Sequence, residues 1–172
     1  MLAQNEFITK SLCPDRVKMK LITAELIEKV TAEAKLSPRL RMNHNFHPEL
    51  SDPVQRLLNA IEPGTYIRPH KHFTREESFV ILRGTALAVT FNNDGTIKNS
   101  SLLNREKGVF GVEFEENTFH MLISLESGTV VYEIKEGPFI PHSVEEQADW
   151  APEEGNPASD DFLTHVIIKC GI

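Results

Sequence analysis

The sequence predicts an all-β barrel or sandwich with one helix ahead of it. Three observations carry that prediction. From Asp52 onward, short apolar runs recur at intervals of about 8–12 residues, split by turn residues, the rhythm of sandwiches and barrels. Asn93-Asp94-Gly95 stands between two such runs and is a strong hairpin signal, because glycine tolerates positive φ. No strand–helix–strand alternation occurs, which argues against a doubly wound α/β fold.

The elements follow in order. Residues 1–18 are mixed in character, contain Pro14 and read as an N-terminal appendage, with Met19 as a natural alternative start. Residues 19–50 hold a helix and an extended arm: Thr23 suits the N-cap, Leu26, Ile27 and Val30 recur at helical spacing, and Pro38 helps to stop the helix. Residues 51–140 form the barrel. "PVQRLLNAIEPGTYI" predicts a strand, a turn at Pro63-Gly64 and a second strand, and "SFVILRGTALAVTFNNDGTIKNSSLL" predicts three more. "GVFGVEF", "HMLISLE" and "GTVVYEIKEG" continue the series. Residues 141–172 are rich in proline and acid and read as an irregular wrap packed on the barrel, anchored by Phe139 and Trp150. The closing "FLTHVIIKC" fits either a strand or a short helix.

The chain of 172 residues is 40% hydrophobic and 25% charged, the balance of a soluble globular domain long enough to bury its own core. The net charge of −7 argues against nucleic-acid binding. No apolar run reaches the length of about 18 residues that a membrane span needs. Cys13 and Cys170 are too few for a disulfide framework and fit no zinc motif, so both read as free thiols. The polar Gln4, Asn5 and Glu6 do not suit a signal peptide, and the expected compartment is the cytoplasm.

One constellation carries chemistry. His70 and His72 stand two apart, so on a strand both imidazoles face one side. Glu77 opens the next run, on the side of Phe79 and Ile81, where a lone buried carboxylate is costly unless a cation meets it. His120 starts a later apolar run. Three imidazoles and a carboxylate suit one divalent transition ion, Fe, Mn, Ni, Co or Zn, better than Mg or Ca. The plain alternative is a set of polar residues at a loop edge, and Glu76 takes the place of Glu77 if the intervening turn is one residue shorter.

These residues also carry a family resemblance. The first cupin motif, G-x5-H-x-H-x3–4-E-x6-G, is matched at Gly64, His70, His72, Glu77 and Gly84, with the longer spacing before the glutamate. The second is matched in part: His120 fits, while Glu115, Asn117 and Ser124 replace its proline, glycine and asparagine. Asn117 can still make the turn, since asparagine tolerates left-handed φ. The resemblance implies a cupin barrel (a double-stranded β-helix, or jelly roll) with His70, His72, Glu77 and His120 as metal ligands. "SPRLRMNHNFHPELSDPVQRLLNAIEPGTYIRPHKH" and "EIKEGPF…WAPEEG" further resemble the WbuC-type cupin-fold metalloproteins, associated with O-antigen and other surface-polysaccharide gene clusters. That likeness implies work near nucleotide-sugar chemistry and, as in many cupins, a homodimer.

A second cluster precedes the barrel. Arg39, Arg41, Asn43, Asn45 and His47 alternate, so an extended chain presents them on one side, followed by Gln55 and Arg56. Guanidiniums with amides suit a phosphate, a carboxylate or a sugar, or else a solvated strand edge. Arg39, Arg41, Asn43, Asn45, Gln55 and Arg56 are the candidate substrate contacts, and Tyr66 and His47 the candidate proton donors, with a core tyrosine equally open for Tyr66. Lys135 is expected at the rim, and His142 and His165 are expected to be structural or exposed. Three functions fit: a metal-dependent isomerase or epimerase of a sugar or nucleotide sugar, a non-catalytic ligand-binding or sensor cupin, and an Fe(II)-dependent dioxygenase.

Overall fold

The computed structural model describes residues 19–141, 143 and 146–172. The expectations for the N-terminal appendage, for Cys13 and for His142 lie outside these residues.

Helix α1 (Ala24–Leu36) begins where Thr23 Oγ1 accepts the Leu26 N–H at 3.2 Å, one of the donors that a helix start leaves unmet. Ser37 turns extended and ends it, one residue before Pro38. Its buried Val30 and Ala34 pack on Phe46, Leu58, Ala60 and Val130. The helix thereby covers the outer face of one sheet over β1, β2 and β8.

That sheet has five strands in the order β1 (Arg41–Asn45), β2 (Val54–Ile61), β8 (Thr129–Glu136), β3 (Glu77–Arg83), β6 (Gly111–Phe114). The second sheet has three, β5 (Ile97–Leu103), β4 (Ala86–Phe91), β7 (Phe119–Ser124). Every pairing is antiparallel. Alternation sorts the side chains into layers. Ile61, Phe79, Ile81, Ala88, Phe114, Leu122 and Val131 fill the space between the sheets. Leu87, Val89, Met121 and Ile123 face outward from the smaller sheet and are covered by Leu163 and Val166 of helix α2 (Ala158–Lys169).

Gly84, which closes β3, has φ +78°, and a Cβ there would stand 2.4 Å from Thr129 Oγ1. Only glycine meets both demands. The β4–β5 turn runs through Gly95 at φ +83°, as expected of a hairpin glycine.

Two expectations are corrected. The segment after Pro63-Gly64 forms no strand. Pro69 has no N–H to give, and its carbonyl accepts the Ala148 N–H of the tail at 3.0 Å, leaving only isolated bridges at His70. The closing segment, open between strand and helix in the sequence, is the helix: Leu163, Val166 and Ile167 recur at helical spacing and dock α2 on the barrel. The Phe139 ring is not a buried anchor: its N–H bonds the Leu50 carbonyl while the residue stays 48% exposed. Trp150 does anchor the tail, against Phe91, Phe119 and Phe162. Cys170 is a free thiol. No helix among the described residues is long and apolar enough to cross a membrane.

Candidate metal centre

His70 and His120 are brought together by the backbone itself. His70 donates its N–H to the His120 carbonyl at 3.2 Å, and His120 returns the bond at 2.8 Å. The turn before β7 is fastened to the same segment: the Asn117 N–H donates to the His72 carbonyl at 2.6 Å, and its side-chain oxygen accepts Lys71 Nζ at 2.8 Å. Asn117 has φ 55°, the left-handed turn that asparagine was expected to supply in place of glycine. Glu77 is the first residue of β3 and points inward with Phe79 and Ile81, while Glu76 is exposed.

One ligand atom each from His70, His72, Glu77 and His120 lies within 4.8 Å of the others, and His72, Glu77 and His120 are buried. Glu77 Oε2 is 3.1 Å from His120 Nε2 and 3.7 Å from His72 Nε2, and its Oε1 accepts Lys135 Nζ at 2.9 Å. His70 Nδ1 lies 3.0 Å from the Arg68 carbonyl, and His120 Nδ1 lies 2.8 Å from that of Thr118. A carbonyl can only accept, so each Nδ1 donates and each Nε2 turns inward, as in histidines that bind metals. Phe114 stacks on His120 with centroids 4.3 Å apart and fixes its plane. Burial pushes the Glu77 carboxyl up, but Lys135, His120 and His72 outweigh it and hold it well below the ordinary carboxylate range. An ionised carboxylate among three imidazoles, with those of His70 and His120 oriented by carbonyls, could hold a transition ion.

A cavity of about 190 Å³ opens from His70, Glu77 and His120. Its other polar walls are Arg39, Arg41, Asn43, Asn59, Glu133 and Lys135. Arg41 and Asn43 project from one face of β1, and Asn59 stands opposite Asn43 on β2. A larger hollow of about 420 Å³, between α1 and the Arg83 and Arg105 segments, is remote from the histidines and contains no such cluster.

Sequence reasoning missed Glu133 and Asn59 and put Lys135 only at the rim. Lys135 Nζ also bonds Glu133 Oε1 at 2.8 Å, and Asn59 Nδ2 donates to Glu133 Oε2 at 3.1 Å. Burial, and then the charge of Glu77, push the Glu133 carboxyl up to about 7 despite Lys135. Burial alone would lower Lys135, but Glu77 and Glu133 together raise it. The signal was available: Glu133 and Lys135 have the parity of Val131, a core residue.

Other candidates lie elsewhere. Tyr66 is buried in the outer core beside Phe162, its hydroxyl donating to the Pro152 carbonyl at 2.8 Å, and burial raises its pKa to about 12. His47 Nδ1 accepts the Arg56 N–H at 3.0 Å. Arg56 has the parity of Leu58 and Ala60, which face α1. Gln55 donates to the Leu50 and Asp52 carbonyls and ties down the loop before β2. Asn45 is exposed at the end of β1. None of these five lines the cavity. The tail, by contrast, comes up beside it: Glu154 bonds Arg41 and lines a second hollow that shares Arg39, Arg41 and His70 with the cavity.

Comparison with known proteins adds the fold. The TT1209 protein from Thermus thermophilus superposes with a TM-score of 0.51 at 12% identity, covering 69% of this chain and 97% of that one. The fold is a cupin barrel. KdgF from Halomonas sp. gives a TM-score of 0.47 at 13% identity over 61% of this chain and 85% of its own. The capsular polysaccharide assembling protein CapF from Staphylococcus aureus gives 0.45 at 22% identity over 53% of this chain and 25% of its own. A family model described as a domain of unknown function, DUF6016, matches residues 22–103. No curated protein sequence matches the chain.

Proposed function

We propose that the protein is a metal-binding cupin that takes a small sugar, or a sugar-derived anion, into the cavity beside His70, His72, Glu77 and His120. The observation that carries this reading is the convergence of those four ligand atoms within 4.8 Å, with His70, Glu77 and His120 lining a cavity that also presents arginine, amide and lysine groups. One divalent transition ion, Fe, Mn, Ni, Co or Zn, would supply Lewis-acid polarisation of a carbonyl or hydroxyl there. Arg39 and Arg41 would hold an anionic group and Asn43 a hydroxyl. Glu133 would handle the proton in place of Tyr66 and His47, because it lines the cavity and the other two do not.

Volume limits the ligand. At about 190 Å³ the cavity is smaller than the roughly 300–1,000 Å³ of sites for drug-sized molecules. It suits one sugar ring at most. The nucleotide part of a nucleotide sugar would lie outside, in the adjoining hollow of about 220 Å³ bounded by Arg39, Arg41, Arg68 and Gln147. The link to O-antigen or other surface-polysaccharide synthesis, and a homodimer, rest on the WbuC-type resemblance. Among the described residues β1 is an edge strand of its sheet, and that edge would be the face for pairing.

The deciding experiment is metal content by mass spectrometry on untagged protein purified without added metal, with His72→Ala and His120→Ala alongside. About one equivalent of a single transition metal in the wild type, lost in both variants, is expected. A wild type that holds no metal even after reconstitution overturns the reading. The loaded protein then separates the chemistries. Oxygen consumption with Fe(II) marks a dioxygenase, and solvent deuterium entering a sugar without oxygen marks an isomerase or epimerase. Thermal stabilisation by a sugar nucleotide without turnover marks a binder.

A further inference from the structure

Arg41, which lines both the cavity and the adjoining hollow, already holds a carboxylate of the chain itself, that of Glu154 on the hollow's side. Arg41 Nη2 donates to Glu154 Oε1 at 3.0 Å and Oε2 at 2.8 Å, and Arg39 Nη2 stands 3.7 Å from Oε2. The two partners differ in setting. The Arg41 side chain is 11% exposed, its Nη1 fixed by the Tyr66 carbonyl at 2.8 Å. The Glu154 side chain is 41% exposed, followed by Gly155 and a run of exposed residues. The cation is built into the wall; the anion reaches in from outside.

Deeper in the same cavity, Asn59 has an unmet need. Its Nδ2 donates to Glu133, which fixes the amide orientation, and its Oδ1 is buried with no donor. The residue is 7% exposed. A buried acceptor left unsatisfied costs about 1–3 kcal/mol, so the site favours a guest that brings a hydroxyl or an N–H. Asn59 stands opposite Asn43, two residues along β1 from Arg41, so one small molecule lying along that face reaches both.

We propose that the ligand is a small hydroxylated oxyanion, a carboxylate or a phosphate ester, that enters by displacing Glu154 from Arg41. Its anionic group takes the place of the Glu154 carboxylate, and a hydroxyl donates to Asn59 Oδ1. This rests on the cavity being the ligand site but not on the metal. A neutral sugar lacks the charge to compete for Arg41 and is excluded. Because the chain competes with its own ligand, apparent affinity is lowered by the fraction of molecules with Glu154 engaged.

Calorimetric titration of the full chain with glucose 6-phosphate, glucuronate and glucose tests this, with excess chelator and again with the reconstituted metal. At least one of the two anions is expected to bind and glucose not; which anion binds identifies phosphate or carboxylate as the source. Glu154→Gln is expected to tighten the anion by about three- to tenfold, the range for a partly exposed ion pair and its population shift. Glu153→Gln removes the same charge one residue away, from a side chain 82% exposed, and is expected to change affinity less than twofold, as a screened surface charge does. Equal gains in both variants, no gain in Glu154→Gln, glucose binding as well as the anions, or no anion binding in any form overturns the proposal. Metal content of the same samples is independent: metal without anion binding refutes this inference alone, and the Glu154→Gln gain without metal refutes only the metal reading.

Discussion

Lys135 Nζ holds Glu77 Oε1 at 2.9 Å and thereby turns Oε2 toward His120 and His72. The lysine is therefore a positioning group for the carboxylate rather than part of a rim. Lys135→Met is expected to weaken metal affinity by about 10–100-fold, the usual effect of removing a group that orients a ligand. It also leaves two buried carboxylates facing each other, so the metal-free fold should lose about 3 kcal/mol. Competition with a chromogenic chelator reads the first effect and denaturant titration the second.

Glu133 makes the stability of the metal-free protein depend on pH in an identifiable window. Its folded pKa of about 7 lies above the ordinary 4.5, so the folded state holds the proton more tightly. The associated stability is complete below 4.5 and is lost as pH rises through about 7. Glu77 is displaced the other way, so its contribution is lost only as pH falls below the ordinary carboxylate range. Thermal midpoints with chelator present should fall from pH 4.5 to 7 in the wild type. Glu133→Gln should flatten that slope.

Tyr66→Phe separates a packing role from a catalytic one. Losing the bond to the Pro152 carbonyl should cost about 1 kcal/mol, with metal content and ligand affinity unchanged. With the folded pKa raised to about 12 from 10, the wild type should lose stability between those pH values relative to the variant. A variant that folds normally but loses turnover would return Tyr66 to the site.

Gly84→Ala meets two obstacles at once, a positive φ and the Thr129 side chain and backbone, the nearest atoms lying 2.4 and 2.8 Å from the new Cβ. The loss should exceed about 3 kcal/mol. Thr129→Ala should rescue it only in part, because the Thr129 Cα remains in place. Paired denaturation curves measure both.

The strands were legible because their signal is local. Phe79 and Ile81, or Ala86 and Ala88, alternate with residues of the other face, and turn glycines bound each run. The four histidine and glutamate positions were legible because their spacing places them on one side of adjoining segments. The rest depended on partners far away in sequence. Nothing near Pro69 says that its carbonyl will pair with Ala148 instead of a strand. Tyr66 shares parity with His70, yet the irregular backbone between them turns it to the other core. Glu133 has the parity of core Val131, but its charged partner Glu77 comes from β3 and its amide partner Asn59 from β2, both far away in sequence.

Trp150, the single tryptophan of the chain, is wedged among Phe91, Phe119 and Phe162, and four positions later the same tail delivers Glu154 to Arg41. The indole is thus a built-in optical probe of that contact: a change in how the tail sits should alter its emission, without any label.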